Sequence, residues 1–183
     1  RLEAAVAEAN RRICEAILAR DELRGMGTTV VAMLVVRDQA VLAHVGDSRA
    51  YLYREGRFSR LTSDHSWVNE QVKLGLLTDD DAQRHPMRNI VTRALGSRPD
   101  VAVERRPTDL RPGDVFLLCS DGLSTMLTDP ELEDLVRQHR GDPAAQPQLA
   151  SAATRAILQL EGKNASEPRA IEARFEQLQR EGF

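Results

Sequence analysis

The chain has 183 residues, enough for one domain with a hydrophobic core of its own. Its 42% hydrophobic and 29% charged residues match a soluble globular protein, and a formal charge of −3 without a basic stripe argues against nucleic acid as the main partner. No apolar run approaches the roughly 18 residues that cross a bilayer, and no signal peptide is visible, so no membrane role is expected. Cys14 and Cys119 lack metal or redox spacing and read as reduced core thiols, which points to the cytoplasm. The sequence opens at Arg1, straight into a helical pattern, as if the start of a larger polypeptide were removed.

From Leu2 to Leu18, the residues Leu2, Val6, Ala9, Ile13 and Ile17 recur at helical spacing, and Arg24-Gly25-Met26-Gly27 ends this amphipathic helix. Thr28 to Val36 is a nearly unbroken apolar, β-branched run, which predicts a strand buried on both faces. After Arg37-Asp38-Gln39 a second strand runs from Ala40 to Val45. Ala50–Arg54 and Arg57–Leu61 flank Glu55-Gly56 as a hairpin, so four strands in succession predict an antiparallel meander. Thr62 to Asn89 is more polar and reads as a small helical insertion over one end of the sheet, with Thr78-Asp79-Asp80-Asp81 capping a helix and Trp67 as its apolar anchor. Strands are expected again at Ile90–Leu95, Val101–Arg105 and Asp114–Cys119, the last after the turn Arg111-Pro112-Gly113. Thr128-Asp129-Pro130 starts a helix ending near Gly141, and another runs from Leu149 to Leu160. The charged tail from 163 to 183 carries Ile171, Phe175 and Leu178 at helical spacing.

Two strand ends carry the chemistry. The apolar run Leu117-Leu118-Cys119 stops at Ser120-Asp121-Gly122, and the strand ending at Val45 stops at Gly46-Asp47-Ser48-Arg49. Each presents a carboxylate at a sheet edge before or after a glycine, where a hard divalent cation could be held. The alternative for each is a solvated turn aspartate. His65 and His85 are candidate proton shuttles, or histidines that satisfy backbone groups beside the insertion. Asp79-Asp80-Asp81 reads as a helix N-terminus, and Ser120 lacks the partners of a serine hydrolase.

Taken in order, Gly27-Thr28-Thr29, Val45-Gly46-Asp47-Ser48-Arg49, Leu61-Thr62-Ser63-Asp64-His65-Ser66, His85-Pro86, Thr92-Arg93-Ala94-Leu95-Gly96 and Ser120-Asp121-Gly122 resemble the bacterial branch of the metal-dependent protein serine/threonine phosphatases, the PPM or protein phosphatase 2C family. The resemblance implies an α+β fold, a layered α-β-β-α sandwich of two antiparallel sheets flanked by helices, with residues 63–89 as a flap insertion. It implies Mg²⁺ or Mn²⁺ as cofactor and phosphoserine or phosphothreonine in proteins as substrate, with a serine/threonine kinase or its targets as partners. Two ions would share a water at the sandwich edge and neutralise the phosphoryl oxygens. By the same resemblance Asp121 is the catalytic carboxylate and a ligand of the paired metals, and Asp47 ligates a third, weaker ion.

The sequence also departs from that family. An early Glu-Asp pair, an Asp-Gly-x-Gly strand end and a phosphate-holding basic residue lie upstream in the family and are absent here. Lys163-Asn164 stands where the family has Asp-Asn before a strand. Residues 1–162 therefore read as a partial phosphatase domain, either a fragment of an active enzyme or a pseudophosphatase that binds a phosphoprotein or kinase without turnover.

Overall fold

The structure is a computed structural model, and it describes residues 1–139. The chain divides into two compact units, Arg1–Asp121 and a second that begins at Gly122.

In the first unit, helix α1 (Leu2–Ala19) is followed by a short 3₁₀ turn, Asp21–Leu23. Strands β1 (Val30–Val36), β2 (Gln39–Val45), β3 (Arg49–Arg54) and β4 (Arg57–Arg60) come next. Helices α2 (Trp67–Lys73) and α3 (Asp79–Arg84) form the insertion, and β5 (Glu104–Asp109) and β6 (Val115–Cys119) complete the sheets. Helix α4 (Asp121–Ser124) starts at the last residue of this unit, and α5 (Asp129–His139) lies in the second.

The strands do not form one meander. They make two three-stranded antiparallel sheets, ordered β1-β2-β5 and β4-β3-β6. The β1–β2 and β3–β4 hairpins exist, but β2 and β3 do not pair: the link Gly46-Asp47-Ser48 carries the chain from one sheet to the other. Local periodicity specifies each hairpin, whereas the choice of sheet depends on which faces can be buried together.

Alternation along β2 explains the layering. Ala43 and Val45 face α1 and join Val6 and Leu95, with Leu2, Ile13 and Val30 packed around them. Leu42, on the opposite face, meets Ala50, Leu52 and Leu61, with Val31, Met33 and Phe116, in the core between the sheets. Asn10 on α1 is almost wholly buried. Its amide donates to the carbonyls of Arg98 (2.9 Å) and Pro99 (2.8 Å) and accepts from Gly96 N–H (2.8 Å), tying the 96–99 loop to the helix.

Several expectations need correction. β1 begins at Val30 and is not buried on both faces, since Val35 and Val36 are 51% and 55% exposed. Among the described residues it is an edge strand, and a β-branched run cannot announce its place in a sheet. Ile90–Leu95 makes only isolated bridges, Thr28 to Leu95 and Ser66 to Val91. The strand placed at Val101–Arg105 lies at Glu104–Asp109 and tolerates Pro107, which pairs with Val41, because among the described residues it is an edge strand. Asp121 does not precede a simple glycine turn but is the first residue of α4. The two cysteines are half-buried rather than core thiols, and neither forms a disulfide. The helix after Thr128 stands as expected, with the Glu131 carboxylate accepting from both the N–H and the hydroxyl of Thr128 at 2.7 Å. The expected helix at Leu149–Leu160, Lys163-Asn164 and the charged tail lie outside the described residues. No helix among the described residues is long and apolar enough to cross a membrane.

Candidate active site

The β2–β3 link is built around a glycine that no other residue could replace without strain. Gly46 has φ +108°, and a Cβ there would lie 2.3 Å from Thr29 Cγ2. Thr29 and Ser48 share a hydrogen bond between their hydroxyls at 2.8 Å, which ties the link to the residue before β1. Arg49 donates to both carboxylate oxygens of Asp64, Nε to Oδ1 at 3.1 Å and an Nη to Oδ2 at 2.6 Å. The Asp64 carbonyl accepts from the Asn69 amide at 2.5 Å, so this ion pair also fastens α2 of the flap to the sheet.

The link holds Asp47 half-buried. Burial raises the Asp47 carboxyl above its ordinary range, and the negative charges of Asp121 and Asp64 raise it further. Asp64 is ion-paired with Arg49. Asp121 is exposed at the start of α4 and adds charge from β6. The two aspartates singled out in the sequence are therefore close enough to repel, the condition a bound cation would relieve.

His65 occupies the other side of the link. Its main-chain N–H donates to Gly46 O at 3.0 Å, and Gly46 N–H donates to His65 Nδ1 at 3.0 Å. With Nδ1 accepting, the ring proton sits on Nε2 and is donated to Glu104 Oε1 at 2.9 Å. Burial lowers the His65 pKa and the Arg93 charge lowers it further, outweighing Glu104. Burial opposes the Glu104 charge, but the His65 hydrogen bond and the nearby Arg93 hold that carboxyl below its ordinary range. The His44 ring stacks on His65, with centroids 4.7 Å apart and planes 13° from parallel, and its Nε2 lies 3.1 Å from Ser63 O.

His44, His65 and Glu104 bring three potential ligand atoms within 4.8 Å of one another. The donor set nevertheless does not fit a metal. His44 Nε2 faces Ser63 O, His65 Nε2 faces Glu104 Oε1 with Arg93 Nη1 also 3.0 Å away, and moving the His65 proton to Nδ1 would set it against Gly46 N–H. His65 is thus wired as a structural hydrogen-bonding group and not as a proton shuttle. His85 is remote from this arrangement, accepting from Met87 N–H at 3.1 Å and packing against Trp67 with ring centroids 5.0 Å apart. A cavity of about 370 Å³ is lined by Leu42, His44, Leu61, Ser63 and Arg106 among others, and neither aspartate borders it.

Sequence reasoning singled out Asp47, Asp121, Asp64 and His65 but missed the roles of Thr29, His44 and Glu104. The available signal was His44 itself, a polar residue inside an apolar strand, which must find a partner when buried.

The family model for protein phosphatase 2C matches residues 1–160, most of the chain. The chain belongs to the protein phosphatase 2C family. A serine/threonine phosphatase, Stp, from Listeria welshimeri is 40% identical over 135 residues, 74% of this chain and 54% of the relative. The protein phosphatase PhpP of Streptococcus pneumoniae is 43% identical over 120 residues, 65% of this chain and 49% of the relative. This protein phosphatase 2C chain thus spans about half the length of the curated relatives it matches. Among solved structures, the Mycobacterium tuberculosis serine/threonine phosphatase PstP/Ppp superposes with a TM-score of 0.80 at 33% identity, covering 89% of this chain and 67% of that one. A structure of the PstP catalytic domain with two manganese ions gives 0.76 at 31% identity, covering 87% of this chain and 64% of that one. The shared fold is the α+β sandwich of two antiparallel sheets flanked by helices.

Proposed function

We propose that this chain forms part of a Mg²⁺- or Mn²⁺-dependent phosphatase that hydrolyses phosphoserine and phosphothreonine in proteins. The observation that carries the proposal is the Asp47–Asp121 pair: beside burial, the Asp121 charge raises the Asp47 carboxyl above its ordinary range at the point where the chain changes sheets. Carboxylate oxygens are the donors that Mg²⁺ and Mn²⁺ prefer, and a divalent ion between them would remove the repulsion. When bound, such an ion lowers the pKa of a coordinated water and neutralises phosphoryl oxygens. Asp47 and Asp121 would hold it, Gly46, Ser48 and Arg49 fix the Asp47 link, and α2 and α3 would form the flap. The lack of disulfides suits action on phosphoproteins in the reducing cytoplasm, where a serine/threonine kinase would supply the substrate.

Two carboxylates hold a single, largely hydrated ion. Pairing two ions calls on ligands beyond those brought together among the described residues. A second reading is a chain that binds a phosphoprotein or kinase without turnover.

Phosphate release from a phosphothreonine peptide in Mn²⁺, beside the Asp121→Ala variant, separates the two. Mn²⁺-dependent turnover lost in Asp121→Ala supports the enzyme reading for this chain. A folded chain that binds the peptide and releases no phosphate supports the second.

A further inference from the structure

We propose that His65 is a positioning residue for Asp47, acting through Gly46, with Glu104 selecting the ring tautomer that makes this possible. The inference rests on the reading of Asp47 as a metal ligand. Gly46 has two main-chain polar atoms, and His65 engages both: its N–H donates to Gly46 O, and its Nδ1 accepts from Gly46 N–H, each at 3.0 Å. A side chain therefore takes the place of a neighbouring strand at the residue before Asp47. The arrangement works only with the proton on Nε2, and Glu104 Oε1 lies 2.9 Å from that atom.

Glu104 is held in turn. It opens β5 opposite His44 in the β2–β5 register; Arg93 Nη1 lies 3.0 Å from His65 Nε2, and its two protons have acceptors in Ala102 O at 3.2 Å and Glu104 Oε1 at 3.5 Å, which leaves the Nε2 proton to Glu104. The stacked His44 ring fixes the plane of His65, and Thr92 N–H donates to His65 O at 2.8 Å. His65 is 3% exposed, so water cannot readily substitute for its ring. Thr29 blocks the space that Gly46 would need in order to relax toward β1. With both sides fixed, the direction in which Asp47 leaves Gly46 is set by the His65 acceptor.

Amide replacements separate the two ring functions. In His65→Asn the side-chain oxygen can stand near the Nδ1 position and accept from Gly46. In His65→Gln the side-chain nitrogen can stand near the Nε2 position and donate to Glu104, and the acceptor is lost. His65→Leu removes both. Mn²⁺ affinity would be read from the electron paramagnetic resonance signal of free Mn²⁺, with Asp47→Ala as the control and urea midpoints checking that every variant is folded. His65→Asn is expected to stay within about threefold of the unmodified chain, and His65→Gln and His65→Leu to weaken binding about 10- to 100-fold, as is usual when the support of a metal ligand is removed. Equal affinities for the Asn and Gln variants, or unaltered affinity in His65→Leu, would overturn the proposal.

Unchanged Mn²⁺ binding in Asp47→Ala would instead remove the metal-ligand reading. The amide of Gly46, followed by hydrogen exchange without metal, still tests the positioning. Protection retained in His65→Asn and lost in His65→Gln supports it, and equal protection in the two refutes it.

Discussion

Replacing Gly46 with alanine tests how the Asp47 link is built. At φ +108° an L-residue is strained by about 1–3 kcal/mol. The new methyl carbon would lie 2.3 Å from Thr29 Cγ2 and 2.5 Å from Thr29 Cβ, so the two segments must part. Forcing a methyl group into such a site costs about 1–3 kcal/mol more. The sum, about 2–6 kcal/mol, is a large share of the roughly 5–15 kcal/mol that stabilises a domain. Urea unfolding would show it as a lower midpoint at unchanged slope. Thr29→Gly removes the obstructing atoms, so the double variant should recover the steric part and leave the backbone strain. The expected coupling is about 1–3 kcal/mol in favour of the pair. A Gly46→Ala variant within about 0.5 kcal/mol of the unmodified chain would refute the argument, as would fully additive costs, since surface-like behaviour has that size.

Asn10→Ala leaves Gly96 N–H and the carbonyls of Arg98 and Pro99 without their buried partner, and should cost about 2–3 kcal/mol in a denaturation curve. Leu42→Ala empties a site in the core between the sheets and should cost about 2–5 kcal/mol, while Val36→Ala at the exposed end of β1 should stay within about 0.5 kcal/mol. Similar losses for the two would contradict the layering. Asp114 accepts from Arg54 Nε at 2.8 Å and an Arg54 Nη at 2.6 Å, and from Arg111 N–H at 2.9 Å, which holds its carboxyl below the ordinary range. A depressed carboxyl stabilises the fold above its unfolded value, near pH 4, and that contribution fades as pH falls through the lower folded value. Stability against pH below about 4 should therefore flatten in Asp114→Asn, and an unchanged acid slope would count against the pair.

How much could be read in advance depends on the range of the interaction. Helix α1, the Glu55-Gly56 hairpin, the cap at Thr78 and the start of α5 follow from residues within a few positions of one another, and each stands where its spacing placed it. Asp47 and Asp121 were visible as candidates because each ends an apolar run beside a glycine. The 44–45 and 104 neighbourhoods were not, because their meaning comes from pairing across the sheet: His44 opposite Glu104, and His65 reaching Gly46 from 19 residues on.

The sequence by itself determined the local elements, the order of the motifs and the carboxylates that could meet a cation. Tertiary structure decided that the four early strands divide between two sheets, that β1 lies at an edge, and that His65 is held as a neutral hydrogen-bonding group. Helical and strand periods are written in neighbouring residues, whereas the burial of a face, the tautomer of a ring and the repulsion between two aspartates depend on residues that only folding brings together.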